Sequence, residues 1–182
     1  VIGAYGLMIK TVDGGETWDE FEVSLDGWHL NGLVDLGDGR LLITGEKGFS
    51  YLSMDGGESW ETIEMPYPGS MFGITRVGDC VLTFGLRGHA QESCDGGLSW
   101  SELKTGTENT LNGASTGGGE LLIVGNGGML LRRGPEGFVS ELHGSGGDFA
   151  AVIALDHERW LLVGEGGIHH YPEAPKAGGE GQ

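Results

Sequence analysis

The chain has 182 residues, 38% of them apolar, which is enough for one domain with a hydrophobic core and excludes disorder as the default reading. Acidic side chains outnumber basic ones by 27 to 10, and the formal charge of -17 repels phosphate backbones and anionic lipid surfaces, so no nucleic acid partner is expected. The longest apolar run, Phe149 to Leu155, falls far short of the roughly 20 residues a membrane-spanning helix needs.

Glycine is the outlier at 38 residues, about three times its usual share of roughly 7%, without the triplet order of collagen. The glycines punctuate a repeat. A Gly-x-x-Gly pair recurs at Gly3/Gly6, Gly45/Gly48, Gly85/Gly88, Gly125/Gly128 and Gly164/Gly167, in steps of 42, 40, 40 and 39 residues. A fixed period in this range marks a solenoid or a propeller.

Along the chain, the first unit opens in what reads as mid-strand at Val1, with no methionine, so a leader or further blades upstream are expected. It continues through a strand from Leu7 to Thr11, a turn, and a Trp-led strand from Trp18 to Val23. The second unit has a strand at Leu30 to Leu36, an apolar run at Leu41-Leu42-Ile43-Thr44, a strand at Phe49 to Ser53, and another at Trp60 to Glu64. The third and fourth units repeat this over 72 to 103 and 111 to 142, with apolar runs Val81-Leu82-Thr83-Phe84 and Leu121-Leu122-Ile123-Val124. The fifth has three strands between Phe149 and Tyr171, including Trp160-Leu161-Leu162-Val163, and lacks a fourth. The segment 172–182, rich in Pro, Gly and Glu, reads as a disordered tail. The runs are too short for helices and are bounded by turn residues, and no stretch sustains a 3.6-residue period. Four short antiparallel strands per repeat predict an all-β propeller over residues 1–171, with about four to five blades present as part of a larger ring.

The copies Thr11 to Trp18, Ser53 to Trp60 and Ser93 to Trp100 read Ser/Thr-x-Asp-Gly-Gly-x-Ser/Thr-Trp, with the Asp seven residues after the second glycine of the first three pairs. In the fourth unit Arg132 to Phe138 replaces it, without Asp or Trp. Gly14-Gly15, Gly56-Gly57 and Gly96-Gly97 accept positive φ, and the carboxylates of Asp13, Asp55 and Asp95 can take bonds from amides downstream. One Asp per repeat in the same turn does the same job each time and cannot converge on one reaction centre, so these are expected to be structural, with Gly15, Gly57 and Gly97 shaping the turns and Trp18, Trp60 and Trp100 packing as core aromatics.

This pattern resembles the Asp-box, or bacterial neuraminidase repeat, of sialidases, sortilin-type receptors and some β-glucanases. Combined with the Gly-x-x-Gly pair, it is most similar to the photosystem II stability/assembly factor propellers and their relatives in non-photosynthetic bacteria. The resemblance implies a non-catalytic binding or assembly scaffold with a protein partner and no cofactor, and it favours a periplasmic or secreted setting. The alternative it raises is a fragment of a glycan-active glycoside hydrolase. Sialidase chemistry needs an arginine cluster with Tyr and Glu partners, and the Arg-Ile-Pro signature is missing. For a glucanase, Asp35 and Asp148 stand at inner-strand ends with nothing to single them out. The assembly-factor surface is basic, so in this acidic chain Arg76, Arg87, Arg132 and Arg133 are the candidate remnant of it. Trp28, Tyr67, Met71 and Phe72 are further candidate contacts. A homodimer through open blade edges is the other expected association.

No metal site is expected: His169 and His170 are adjacent on a strand and point to opposite faces. Cys80 and Cys94 flank the Gly85–Gly88 turn. If Leu86 and Arg87 form a two-residue loop, Cys80 faces Ser93 and the thiols diverge, so a disulfide is an open question.

Overall fold

The computed structural model describes residues 1–24, 26–134 and 136–172; the expected tail, apart from Pro172, lies outside them. Among the described residues there is no α-helix, only strands and three 3-10 turns. β1 (Leu7–Lys10) and β2 (Asp19–Glu22) form the first sheet. β3 (Leu30–Gly37), β4 (Arg40–Gly45), β5 (Phe49–Ser53) and β6 (Glu61–Glu64) form the second, and β7 (Met71–Val77), β8 (Cys80–Gly85), β9 (Ala90–Ser93) and β10 (Ser101–Leu103) the third. β11 (Leu111–Gly117), β12 (Glu120–Gly125), β13 (Met129–Gly134) and β14 (Gly137–Leu142) form the fourth, and β15 (Phe149–Ala154), β16 (Trp160–Gly164) and β17 (Gly167–Tyr171) the fifth. Every pairing is antiparallel between consecutive strands, the meander of a propeller blade.

The second strands of the three four-stranded sheets, β4, β8 and β12, are largely apolar because both their faces are covered. Leu82 and Phe84 on β8 pack forward into the fourth sheet against Leu111, Leu121 and Ile123. Leu122, Val124 and Leu130 do the same against Phe149, Trp160 and Leu162 of the fifth. The first strands β3, β7, β11 and β15 lie against one another in series. In each of them a register shift near the start sets one residue out of line: Asn31, Phe72, Asn112 or Ala150. The two asparagines use it as a latch: Asn31 Nδ2 donates to the Met71 carbonyl at 2.9 Å, and Asn112 Nδ2 to the Phe149 carbonyl at 2.8 Å, each in the next sheet.

Three expectations are corrected. The Gly85–Gly88 turn is longer than a two-residue loop: Phe84 pairs with Ala90, and Leu86–Gly88 makes a 3-10 turn between them. The added residue moves the register so that Cys80 lies beside Cys94, and the two are joined in a disulfide across β8 and the end of β9. Trp18 is not a core aromatic, being 46% exposed, whereas Trp100 is 9% exposed. Trp100 packs against Leu42 of the preceding sheet and Trp60 joins the cluster of Met8, but no sheet precedes Trp18 in this chain. Met71, expected among exposed contacts, is fully buried at the root of β7.

Truncating Leu122 to Ala should lower unfolding free energy by about 3 kcal/mol in urea titrations, while Val139→Ala on the exposed face of β14 should change it by less than about 0.5 kcal/mol. The disulfide closes a chain segment with a separation of 14 residues, so Cys80→Ser with Cys94→Ser should cost about 2–3 kcal/mol in the same assay.

Candidate binding surfaces

Antiparallel order sends the loops to two opposite ends of the blades. One end carries the turns between first and second strands together with the Asp-Gly-Gly turns. The other carries the Gly-x-x-Gly turns and the connections from one sheet to the next.

At the first end, Asp13, Asp55 and Asp95 make the same bonds. The Ser53 hydroxyl donates to Asp55 Oδ1 at 2.8 Å and accepts from the Gly57 amide at 2.8 Å. The Ser59 amide donates to Asp55 Oδ1 at 2.9 Å and its hydroxyl to Oδ2 at 2.6 Å. Asp95 repeats this with Ser93 and Ser99, and Asp13 with Thr11 and Thr17. Both carboxylate oxygens are thus occupied within their own turn. The glycines let the turn sit close: a side chain at Gly97 would meet Leu42 Cδ1 of the preceding sheet at 2.7 Å.

These bonds favour the ionised form. The Ser59 and Ser99 hydroxyls, then amide and further hydroxyl bonds, bring Asp55 and Asp95 down to about 2, and the Thr11 and Thr17 hydroxyls hold Asp13 low as well. Asp156 is lowered to about 2 by the Glu158 amide and by Arg159. All four shifts among carboxyls run downward, opposite to what a general acid needs.

The arginines divide between the two ends. Arg76 donates to the Asp35 carbonyl at 3.3 Å at the Asp-Gly-Gly end, beside a cleft of about 310 Å³ that also receives Arg40, Asp79 and Asp95. Arg87 stands at the opposite end. Arg133 grips Glu92 of the third sheet through both terminal guanidinium nitrogens, and that bond holds its proton more tightly. Arg132 pairs with Glu120 at 3.0 Å, and Arg159 with Asp156 at 2.7 Å. Cys80, Glu92 and Cys94 bring ligand atoms within 4.8 Å of one another, but the two sulfurs are bonded together and Glu92 is held by Arg133.

The Gly-x-x-Gly end has a feature that single residues in the sequence do not signal. The third residue of each pair lies in the left-handed region: Tyr5 (φ 57), Lys47 (φ 61), Arg87 (φ 56), Gly127 (φ 65) and Gly166 (φ 80). Three of the five are therefore bulky residues where glycine would be unstrained. All three are exposed, each close to an aromatic group from a sheet-to-sheet connection or its neighbour. Tyr5 packs edge-on to His29 with centroids 5.0 Å apart, and Lys47 Nζ lies 5.3 Å from the Trp28 ring centroid. Tyr67 stacks on His89 at 3.6 Å, next to Arg87. Arg87 and Lys104 border an open cleft of about 880 Å³ with His89, Glu102, Thr107 and Glu108. Aligning the repeats position by position, with Gly127 and Gly166 as references, is the signal that would have revealed this row.

The sheets, their order and their loop geometry define a β-propeller of four-stranded antiparallel blades. No family model matches the sequence, and no curated protein matches it. Solved structures do. The chain is similar to YCF48 bound to D1 peptide (TM-score 0.75, 22% identity), covering 93% of this chain and 58% of that one. It is similar to YCF48 from Cyanidioschyzon merolae (TM-score 0.71, 18% identity, 93% and 61% covered) and to the WD40 propeller domain of Doa1 (TM-score 0.70, 15% identity, 93% and 59% covered). The chain thus spans about three-fifths of the length of these structures.

Asp95→Ala should lower stability by about 2 kcal/mol through the loss of several turn bonds. Because Asp55 and Asp95 titrate lower folded than the roughly 3.9 of an unfolded chain, their contribution is full above about pH 4 and lost as the pH falls toward 2. An acid titration of the urea midpoint should show that loss diminished in Asp95→Asn.

Proposed function

We propose that this chain is a non-catalytic binding scaffold of the photosystem II assembly-factor-like kind, and that it receives a protein partner on the Gly-x-x-Gly end of its blades. The observation that carries this is the row of Tyr5, Lys47 and Arg87. Each holds an exposed side chain on a backbone conformation that costs a non-glycine residue roughly 1 kcal/mol or more, at positions where the fourth and fifth sheets use glycine. The contacts of Tyr5 with His29 and of Lys47 with Trp28 lie outside the buried core, which supports a role outside the fold. Trp28 and Tyr67 supply aromatic surface beside the cations, the composition that dominates protein interfaces. The similarity to YCF48 bound to D1 peptide supports a protein segment as the kind of partner. The acidic charge of this chain implies a partner less acidic than one gripped by an arginine-rich surface. Asp13, Asp55 and Asp95 are assigned a structural role at the other end.

Lys47→Gly and Arg87→Gly separate function from folding. Each should leave stability unchanged or raise it by up to about 1 kcal/mol, since glycine relieves the left-handed backbone. Each should weaken capture of the partner about tenfold or more in pull-downs from the native host, with amine cross-links from Lys47 and Lys104 mapping the contact. Capture that is indifferent to both changes, or cross-links confined to Lys10, would reject this face.

A further inference from the structure

Val81 pairs with Ser93, so Cys80 and Cys94 face each other one step beyond, where β8 begins and β9 runs into the Asp-Gly-Gly turn. Glu92 lies two residues before Cys94, on the same side of the sheet, and is registered with Leu82, whose side chain packs against the fourth sheet. The two sulfurs and a Glu92 carboxylate oxygen lie within 4.8 Å of one another. Among the described residues no other three His, Cys, Asp or Glu side chains converge in this way, although the chain carries 27 Asp and Glu and 6 His. The set is reachable from solvent, since Cys94 is exposed and Cys80 and Glu92 are half-buried. Arg133 of β13 crosses from the fourth sheet to hold Glu92, its Nη2 donating to Oε2 at 3.2 Å.

We infer that, once a dithiol opens the disulfide, Cys80, Cys94 and Glu92 bind a thiophilic divalent cation of the Zn²⁺ type, so that the same residues hold either a bond between sulfurs or a metal ion. A thiolate of the dithiol attacks Cys94, the exposed sulfur; a mixed disulfide forms as the Cys80–Cys94 bond breaks, and the electron pair stays on Cys80, which takes a proton. The second thiol of the reagent then closes its own disulfide and releases Cys94. Two electrons and two protons pass to the protein, and binding of the ion returns both protons to solvent. Two thiolates and a carboxylate suit a borderline-soft ion that takes sulfur at roughly 2.3 Å and carboxylate oxygen at roughly 2.0–2.2 Å, which sets the ligand atoms of one tetrahedral ion roughly 3.5–4 Å apart. Freed of their bond, the sulfurs reach that separation by side-chain rotation while β8 and β9 stay paired, and the Glu92 oxygen starts within 4.8 Å of both. Arg133 is the outer partner that orients the carboxylate: one oxygen turns to the ion while the other keeps the guanidinium. The dication and the guanidinium together neutralise three anionic ligands, and the fourth position of the ion opens to water beside Cys94. The overall charge of -17 draws cations toward the chain. This site lies where the third sheet meets its Asp-Gly-Gly turn, and it rests on the fold and not on the binding role proposed above.

Cobalt titration of the 182-residue chain, reduced with dithiothreitol and freed of the reagent under anaerobic conditions, tests this directly. Co²⁺ reports thiolate ligation through sulfur-to-metal charge-transfer absorption, which histidine and carboxylate sites elsewhere on the chain do not produce. The expected result is one such site per chain, bleached when Zn²⁺ displaces the cobalt and absent from the disulfide form. Cys80→Ser and Cys94→Ser should each weaken the site at least about a hundredfold, with the charge-transfer intensity falling to that of one thiolate. Glu92→Gln and Arg133→Gln should each weaken it about tenfold or more while the absorption at saturation keeps both thiolates, and Glu61→Gln on β6 should leave it unchanged. Glu92→Gln and Arg133→Gln leave the cysteines in place, so they remain informative if a cysteine variant misfolds. Near-UV circular dichroism should be the same before and after reduction. A reduced, natively folded chain without the charge-transfer band, a band whose affinity is indifferent to Glu92→Gln, binding that joins two chains on one ion, or loss of the native dichroism on reduction would each overturn the inference.

Discussion

The structure depends on one contact made again and again: the forward face of a second strand, apolar and flat, against the inner strands of the next blade. Leu82 and Phe84 against Leu121 and Ile123, and Leu122 and Val124 against Trp160 and Leu162, are the same contact one blade apart. Each blade alone exposes two apolar faces and could not fold in isolation, so stability is assembled by stacking neighbours. The register shift at the start of each first strand follows from this, since it aims Asn31 and Asn112 at the carbonyls of the next blade where the stack is tightest.

The Asp-Gly-Gly turns belong to the same logic. Their glycines let one blade approach the last, as Gly97 approaches Leu42, and their Trp side chains fill the seam when a preceding blade exists. Trp18, in a similar sequence context, has no described sheet packed on that side and is half exposed. A residue's role in a stacked fold is thus set jointly by its own repeat and by the repeat beside it.

That division explains what could be read in advance. Strand positions, the antiparallel meander and the turn chemistry of Asp13, Asp55 and Asp95 were legible because they depend on local spacing within one repeat. The cysteine pair was not, since it turns on a single residue of loop length between Phe84 and Ala90 that spacing leaves ambiguous. The surroundings of the four arginines were not legible either, since strand direction sends Arg76 and Arg87 to opposite ends and Glu120 and Glu92 engage Arg132 and Arg133. The left-handed backbone at Tyr5, Lys47 and Arg87 was hidden because Gly-x-x-Gly names the flanking glycines and leaves the strained position unmarked.

The Asp-Gly-Gly end ties each turn to its own blade through Asp13, Asp55 and Asp95, while the Gly-x-x-Gly end carries Tyr5, Lys47 and Arg87 exposed on left-handed backbone. Amide hydrogen exchange of the chain with and without its captured partner measures this division most directly. The account predicts new protection at 26–29, 46–48, 65–70 and 86–89, with the amides of 13–17, 55–59 and 95–99 unchanged. Protection gained at the Asp-Gly-Gly turns, with none at the opposite end, would contradict it.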